Sequence, residues 1–235
     1  MKSSSQDRTY LESEANNFFG RCDRDADPAE LRPYKRDIVE RLDSAGVSPQ
    51  RMLEYGCNYG DMLGFYARER GVEAYGVEPS SRAVELGQQT YGDLVNLRVG
   101  TIADNTLNDD PEMVGKFDLV VVDDVFCWVS RETVFQSVAN IDSSLRDGGF
   151  LYIREFLPLH QGRNPNHHVA SGDVFCYKPS GPHLGMFTAS GVYEIVWQHI
   201  DFDRADPFLE GDGRSAFESR WSTVVLRKSL SDYFA

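Results

Sequence analysis

The sequence predicts an α/β fold: a mostly parallel sheet with helices on both faces. Three observations carry this. Short β-branched apolar runs alternate with helical stretches between residues 51 and 153. Glycine-rich or acidic turns close the strands. One run, FDLVVV at 117–122, is apolar throughout, as a strand covered on both faces must be.

Each element follows in order. Residues 1–10 are polar, which predicts a frayed start. Residues 11–46 read as irregular helix, interrupted at Asp27-Pro28 and at Pro33. Leu31, Tyr34, Ile38 and Leu42 lie on one helical stripe, and Gly46 is placed to stop it. RMLEY at 51–55 is a strand ending in GCNYG. Residues 61–70 form a helix closed by Gly71. Residues 74–77 form a second strand, closed by Glu78-Pro79. Ser80 or Ser81 caps a helix running to about residue 89. Strands at 94–99 and 117–122, a helix at 133–145 and a turn at Asp147-Gly148-Gly149 lead into a strand at 150–153.

After Glu155 the alternation breaks. Residues 156–190 carry Pro158, Pro165, Pro179 and Pro182 among several glycines. An irregular stretch of that length is usually functional. Strands at 193–202 and 219–228 have no helix between them, so they pair antiparallel. The acidic, turn-rich segment 201–213 reads as a solvated connection between them. The chain divides into an N-terminal helical cap (1–46), a ligand-binding core (47–155), a substrate-binding insertion (156–190) and a strand pair completing the same domain (191–235).

Composition narrows the function. A chain of 235 residues fits one domain with insertions. Hydrophobic residues at 41% and charged residues at 26% exclude wholesale disorder. Lys plus Arg is 24 against 37 for Asp plus Glu, a net charge of −13. A free-standing nucleic-acid binder needs a basic footprint, and an anionic membrane would repel this chain. The expected partner is a small molecule. The start has no apolar core of a signal peptide, and no run approaches the ~18 apolar residues of a membrane span. Cys22, Cys57, Cys127 and Cys176 lie far apart, which fits neither a disulfide framework nor a zinc knuckle. Reduced thiols in a cytoplasmic protein are the simpler expectation.

The first strand runs into Gly56-Cys57-Asn58-Tyr59-Gly60, and a helix follows at once. Such glycines let the backbone turn tightly and approach a ligand, and the helix adds oriented N–H groups. Glu78, at the end of the second strand, is placed to accept both hydroxyls of a ribose. A nicotinamide dinucleotide fits less well, because G-x-G-x-x-G needs three glycines where Gly56 and Gly60 supply two.

LEYGCNYGDML resembles the first motif of class I S-adenosylmethionine-dependent methyltransferases, and GVEPS resembles their acidic second motif. VGTIAD resembles the loop flanking the adenine, KFDLVVVDDVFCWV the fourth motif, and LRDGGFLYIREF the turn and fifth strand. The resemblance implies a Rossmann-like, doubly wound, seven-stranded sheet with an antiparallel last strand. It also implies S-adenosylmethionine as cofactor. Glu54, Gly56, Cys57, Asn58 and Gly60 would line its methionine and ribose part. Glu78 would hold the ribose hydroxyls, and Pro79, Thr101 and Ile102 would flank the adenine. Asp123, Asp124 and Val125 would face the methionine end and the substrate. Asn58 replaces the middle glycine of the family motif, and Asn tolerates left-handed backbone better than most residues. Thr101 stands where the family more often has an acid. Arg154-Glu155 stands where metal-dependent members carry an Asp-Asn pair, so no metal is expected.

The implied chemistry is in-line displacement, which needs alignment and exclusion of water. A hydroxyl acceptor gains from a base. Four of the five histidines (His160, His167, His168 and His183) fall in the 156–190 insertion, and histidine titrates near neutrality. His167 or His168 is the expected base, while His199, within a late strand, reads as structural. The leading expectation is methylation of a small molecule, at oxygen before nitrogen or carbon. Methylation of a protein, and a non-catalytic protein that only binds the cofactor, are the alternatives.

Overall fold

The computed structural model describes residues 5–22, 27–104, 113–158, 160–170, 172–179, 183–202 and 220–231. A seven-stranded sheet forms the centre, built from β1 (Arg51–Tyr55), β2 (Glu73–Glu78), β3 (Val95–Val99), β4 (Phe117–Asp123), β5 (Leu145–Phe156), β8 (Tyr193–Phe202) and β9 (Arg220–Lys228). The order is β3-β2-β1-β4-β5-β9-β8. Neighbours from β3 to β5 are parallel, and β9 runs antiparallel to both β5 and β8. From β1 the chain builds outward to β2 and β3 on one side. It then returns to β4 and β5 on the other. The carboxyl ends of β1 and β4 therefore flank a crevice, the place where open α/β sheets bind ligands.

The uniformly apolar β4 has a direct cause. Leu119 and Val121 point into the cluster beneath α3 (Pro33–Ser44) and α4 (Asp61–Arg70), beside Met52 and Tyr152. Val120 and Val122 point into the opposite cluster, with Leu53, Ile153 and Ile141 of α6 (Val134–Ser144). All four β4 residues are fully buried. α5 (Ser81–Tyr91) starts as the sequence expects, with the Ser80 hydroxyl accepting from the N–H of Ala83. The turn expected at Asp147-Gly148-Gly149 falls inside β5, which starts at Leu145, and shows as a break in register between Phe117↔Leu145 and Leu119↔Phe150.

The expectation of a frayed start fails over its described part. Ser5–Thr9 is helical (α1), continues through a π-turn at Tyr10–Glu14 and ends as α2 (Ala15–Cys22). The Gln6 amide donates to the carbonyls of Trp128 (2.6 Å) and Phe175 (3.0 Å), and its carbonyl accepts from the N–H of Phe175 at 3.1 Å. Asp7 accepts from the Thr133 hydroxyl at 2.7 Å. These residues are polar because they bond to distant backbone and hydroxyl groups, not because they are solvated.

The 156–190 segment contains a short hairpin, β6 (Gly162–Pro165) with β7 (Phe175–Lys178), and a turn of helix, α7 (Gly185–Thr188). The hairpin is tied to the N-terminal helix. The Asn166 amide donates to Glu14 at 2.9 Å, and Glu14 also pairs with Arg21 at 2.6 Å. The expected solvated connection lies, from residue 203, outside the described residues. Among those residues no helix is long and apolar enough to cross a membrane.

Candidate active site

The crevice at the ends of β1 and β4 opens into a cavity of about 440 Å³. This is within the size of small-molecule sites, roughly 300–1,000 Å³. Its floor is the sheet edge and its roof is the N-terminal segment.

The floor begins at Gly56, with φ +71. A Cβ there would lie 2.5 Å from Cγ2 of Val125, so glycine leaves an opening that any other residue fills. Asn58 takes φ 55, the left-handed geometry expected of it, and its side-chain oxygen accepts from the N–H of Tyr59 at 2.9 Å. Glu78 reaches back to this turn. One carboxylate oxygen accepts from the N–H of Asn58 at 2.9 Å, the other from the N–H of Ser80 at 2.8 Å. The acidic residue and the glycine loop are thus one hydrogen-bonded unit. Pro79, Thr101 and Ile102 continue the wall. The loop carrying Ile102 is held by Asn140, whose amide donates to the carbonyls of Ile102 (2.8 Å) and Ala103 (2.9 Å).

Nine of the expected cofactor contacts line this cavity: Gly56, Asn58, Glu78, Pro79, Thr101, Ile102, Asp123, Asp124 and Val125. Glu54, Cys57 and Gly60 stand behind the wall instead. Cys57 is fully buried in the core, and Gly60 (φ +80) starts α4 against Leu97. Glu54 is fully buried and accepts from the Lys35 ammonium at 2.6 Å.

Lys35 is the contact that sequence reading missed. It comes from α3, is buried, and reaches both Glu54 and Asp123 (3.3 Å). Burial alone would pull its ammonium down, but Glu54 and Asp123 hold it well above its usual value. Burial pushes Glu54 up to about 7 against the pull of Lys35. Asp123 also pairs with Arg154 at 3.1 Å. Nearby, Arg32 forks onto Asp61 at 2.8 and 2.9 Å and lies over the rings of Tyr34 and Tyr59.

Asp124 follows at φ 58 and faces the cavity. Burial, then the charge of Asp123, pushes its carboxyl up to about 6. The Cys127 thiol donates to it at 3.3 Å. Glu155 lies alongside, accepting from the N–H groups of Phe126 (2.5 Å) and Cys127 (3.3 Å).

The roof is aromatic. Tyr10, Phe18, Phe19 and Tyr34 all reach the cavity, joined by Trp128 from the loop after β4. Tyr10 and Trp128 form one wall, their ring centroids 6.0 Å apart. The histidines lie elsewhere. His167 and His168 are exposed in the hairpin loop, rings 3.9 Å apart, and neither lines the cavity. His160 is exposed. His183 is buried against Phe126, and burial, then Arg131, pushes it down to about 3, so it stays neutral. His199 is exposed on β8 beside Trp197.

Comparison with known proteins agrees with this geometry. Residues 53–151 match the model of a methyltransferase domain. Uncharacterized protein RP028 of Rickettsia prowazekii is 28% identical over 126 residues, which are 52% of this chain and 49% of that protein. The match thus spans about half the length of that relative. Among solved structures, the 1,6-didemethyltoxoflavin-N1-methyltransferase of Burkholderia thailandensis, with bound S-adenosylhomocysteine, has a TM-score of 0.64 at 17% identity, covering 97% of this chain and 93% of that one. The [4+2]-cyclase SpnF has a TM-score of 0.67 at 15% identity, covering 98% of each chain. The N-methyltransferase NodS of Bradyrhizobium japonicum, with S-adenosylhomocysteine, has a TM-score of 0.57 at 16% identity, covering 96% and 99%. The residues present fit the cofactor these comparisons imply. Gly56 leaves a cradle that a Cβ would close, and the Glu78 carboxylate stands beside it at the cavity edge. Over residues 53–151 the chain thus matches a methyltransferase domain, and its fold is that of S-adenosylmethionine-dependent methyltransferases.

Proposed function

We propose that this chain moves a methyl group from S-adenosylmethionine to a small-molecule acceptor, with a hydroxyl oxygen the favoured acceptor atom. The observation that carries the reading is the joined unit of glycine turn and Glu78 on the floor of a cavity roofed by aromatic rings. When bound, the cofactor supplies a methyl group already activated by a positive sulfur. The chain's own residues then have three tasks. The turn at Gly56 and Asn58, with Glu78, holds the adenosine end. Lys35, Arg154 and Asp123 set the charge at the far end. The helix bearing Tyr10, Phe18 and Phe19 covers the site and keeps water out, so that alignment does most of the catalytic work. A hydroxyl is favoured because the cavity holds a carboxylate, Asp124, able to take a proton at the moment of attack.

Isothermal titration with S-adenosylhomocysteine tests the cofactor assignment. The wild-type chain is expected to show saturable binding at one site. Glu78→Ala should weaken it by ~1.5–3 kcal/mol, the size of a charge-assisted hydrogen-bonding group. A folded Glu78→Ala protein with wild-type affinity would remove Glu78 from the site.

A further inference from the structure

Asp124 is the carboxylate of this cavity with the weakest answer from the protein. Its neighbour Asp123 crowds it with like charge, and Asp124 in turn pushes Glu155 up. Asp123 is paired with Lys35 and Arg154, and Glu155 accepts from two backbone N–H groups while burial, then Asp124, push it well above the usual carboxyl range. Asp124 has the thiol of Cys127, a weak donor. Arg154 on β5 and Lys178 on β7 act on it through space. Tyr10 from the N-terminal helix and Cys176 from β7 face it and add no positive charge. A group so placed is best satisfied by a proton donor that enters the cavity.

The surrounding wall says what carries that proton. Tyr10 and Trp128 present their rings beside Asp124, while Phe18 and Tyr34 remain 37% and 43% exposed at the cavity. Aromatic faces beside the acidic acceptor Asp124 suit a flat ring better than a flexible chain or a sugar.

We propose that the acceptor is a planar ring bearing an acidic O–H or N–H, held against Tyr10 and Trp128, and that Asp124 takes its proton. The inference rests on the methyl-transfer reading above. The bond from hydrogen to the acceptor heteroatom breaks and its electron pair stays on that atom. The same atom forms the new bond to the methyl carbon, and the pair of the breaking carbon–sulfur bond leaves with sulfur. The proton ends on the Asp124 carboxylate and passes to water. Because burial and Asp123 raise Asp124 to about 6, the carboxylate form grows in above that pH, and turnover should rise through pH 6.

The test uses Asp124→Asn in the full chain. Asparagine accepts the left-handed backbone of this position, so the turn should survive. Formation of S-adenosylhomocysteine is measured with phenols (catechol, 2-naphthol), ring N–H compounds (benzimidazole) and aliphatic controls (glucose, ethanolamine). Turnover is expected with a ring compound. In Asp124→Asn it should fall by roughly 10²–10⁴-fold and lose the rise near pH 6. Titrations with S-adenosylmethionine and S-adenosylhomocysteine should both stay within about threefold of wild type. Turnover confined to the aliphatic controls, or none with any compound, overturns the acceptor class. Near-native turnover in Asp124→Asn overturns the base. So does a variant that loses affinity for the sulfonium form alone, since Asp124 would then pair with that charge. Failure of the wild-type chain to bind S-adenosylhomocysteine would instead sink the methyl-transfer reading itself.

Discussion

The floor and the roof of the cavity are made of different material. The floor uses backbone: a turn at Gly56 and Asn58, N–H groups directed at Glu78, and strand ends fixed by parallel pairing. The roof uses side chains: aromatic rings from the N-terminal helices and Trp128, with Lys35 reaching through from α3. A backbone wall depends on a few conformations close together in sequence. A side-chain wall depends on residues far apart being brought together. The two should therefore fail differently when altered.

The largest effect is expected at the floor. Gly56→Val places a branched side chain where a Cβ already meets Val125 at 2.5 Å, in a backbone conformation that valine resists. Titration with S-adenosylhomocysteine should show binding reduced beyond detection. Thermal unfolding should move far less, because the turn stands at the cavity edge. A variant that binds normally would mean that the cofactor lies elsewhere.

Next comes the ion pair that joins roof to floor. Removing one partner of a buried pair leaves the other charge uncompensated and typically costs about 3–5 kcal/mol. Lys35→Met should therefore lower the denaturant midpoint strongly, leaving Glu54 buried without its cation and Asp123 with Arg154 alone. Adding Glu54→Gln should recover part of the loss, because it removes one of the stranded charges. If the double variant is no better than the single one, Lys35 acts through packing and not through charge.

The same contrast explains what was legible in the sequence. The strands, the turn at Gly56, the left-handed Asn58 and the Ser80 cap were readable because each is set by residues within a few positions. Lys35 was not. It sits on the buried stripe of α3 with Ile38, Val39 and Leu42, and nothing local says that its ammonium meets Glu54 and Asp123. Gln6 and Asp7 were misread for the same reason, since a polar residue with distant partners looks like a solvated one. Glu54 and Cys57 show the reverse error. The motif places them at the ligand, while both side chains are fully buried in the protein. That the rings of Tyr10, Phe18 and Phe19 roof the cavity follows from where the helix docks, which no local pattern records.

The smallest effect is expected at the two histidines. Composition marked His167 and His168 as the base, since histidine titrates near neutrality and four of the five lie in one segment. Their surroundings argue otherwise. Both are exposed in the β6–β7 loop, outside the cavity lining, and the backbone N–H of His168 donates to the Asn166 side chain at 3.0 Å. The nearest tie between that loop and the roof is Asn166 itself, through Glu14. A base must come within hydrogen-bond reach of the proton it removes, so exposure outside the cavity is a poor start. His167→Ala and His168→Ala should each keep turnover within about twofold, and the rise near pH 6 should persist in both. Asn166→Ala should do more, because it cuts the bond that ties the hairpin to the covering helix. A drop of 10²-fold in either histidine variant, with cofactor affinity intact, would mean that the hairpin folds over the acceptor during turnover. The roof would then include the loop as well as the helix.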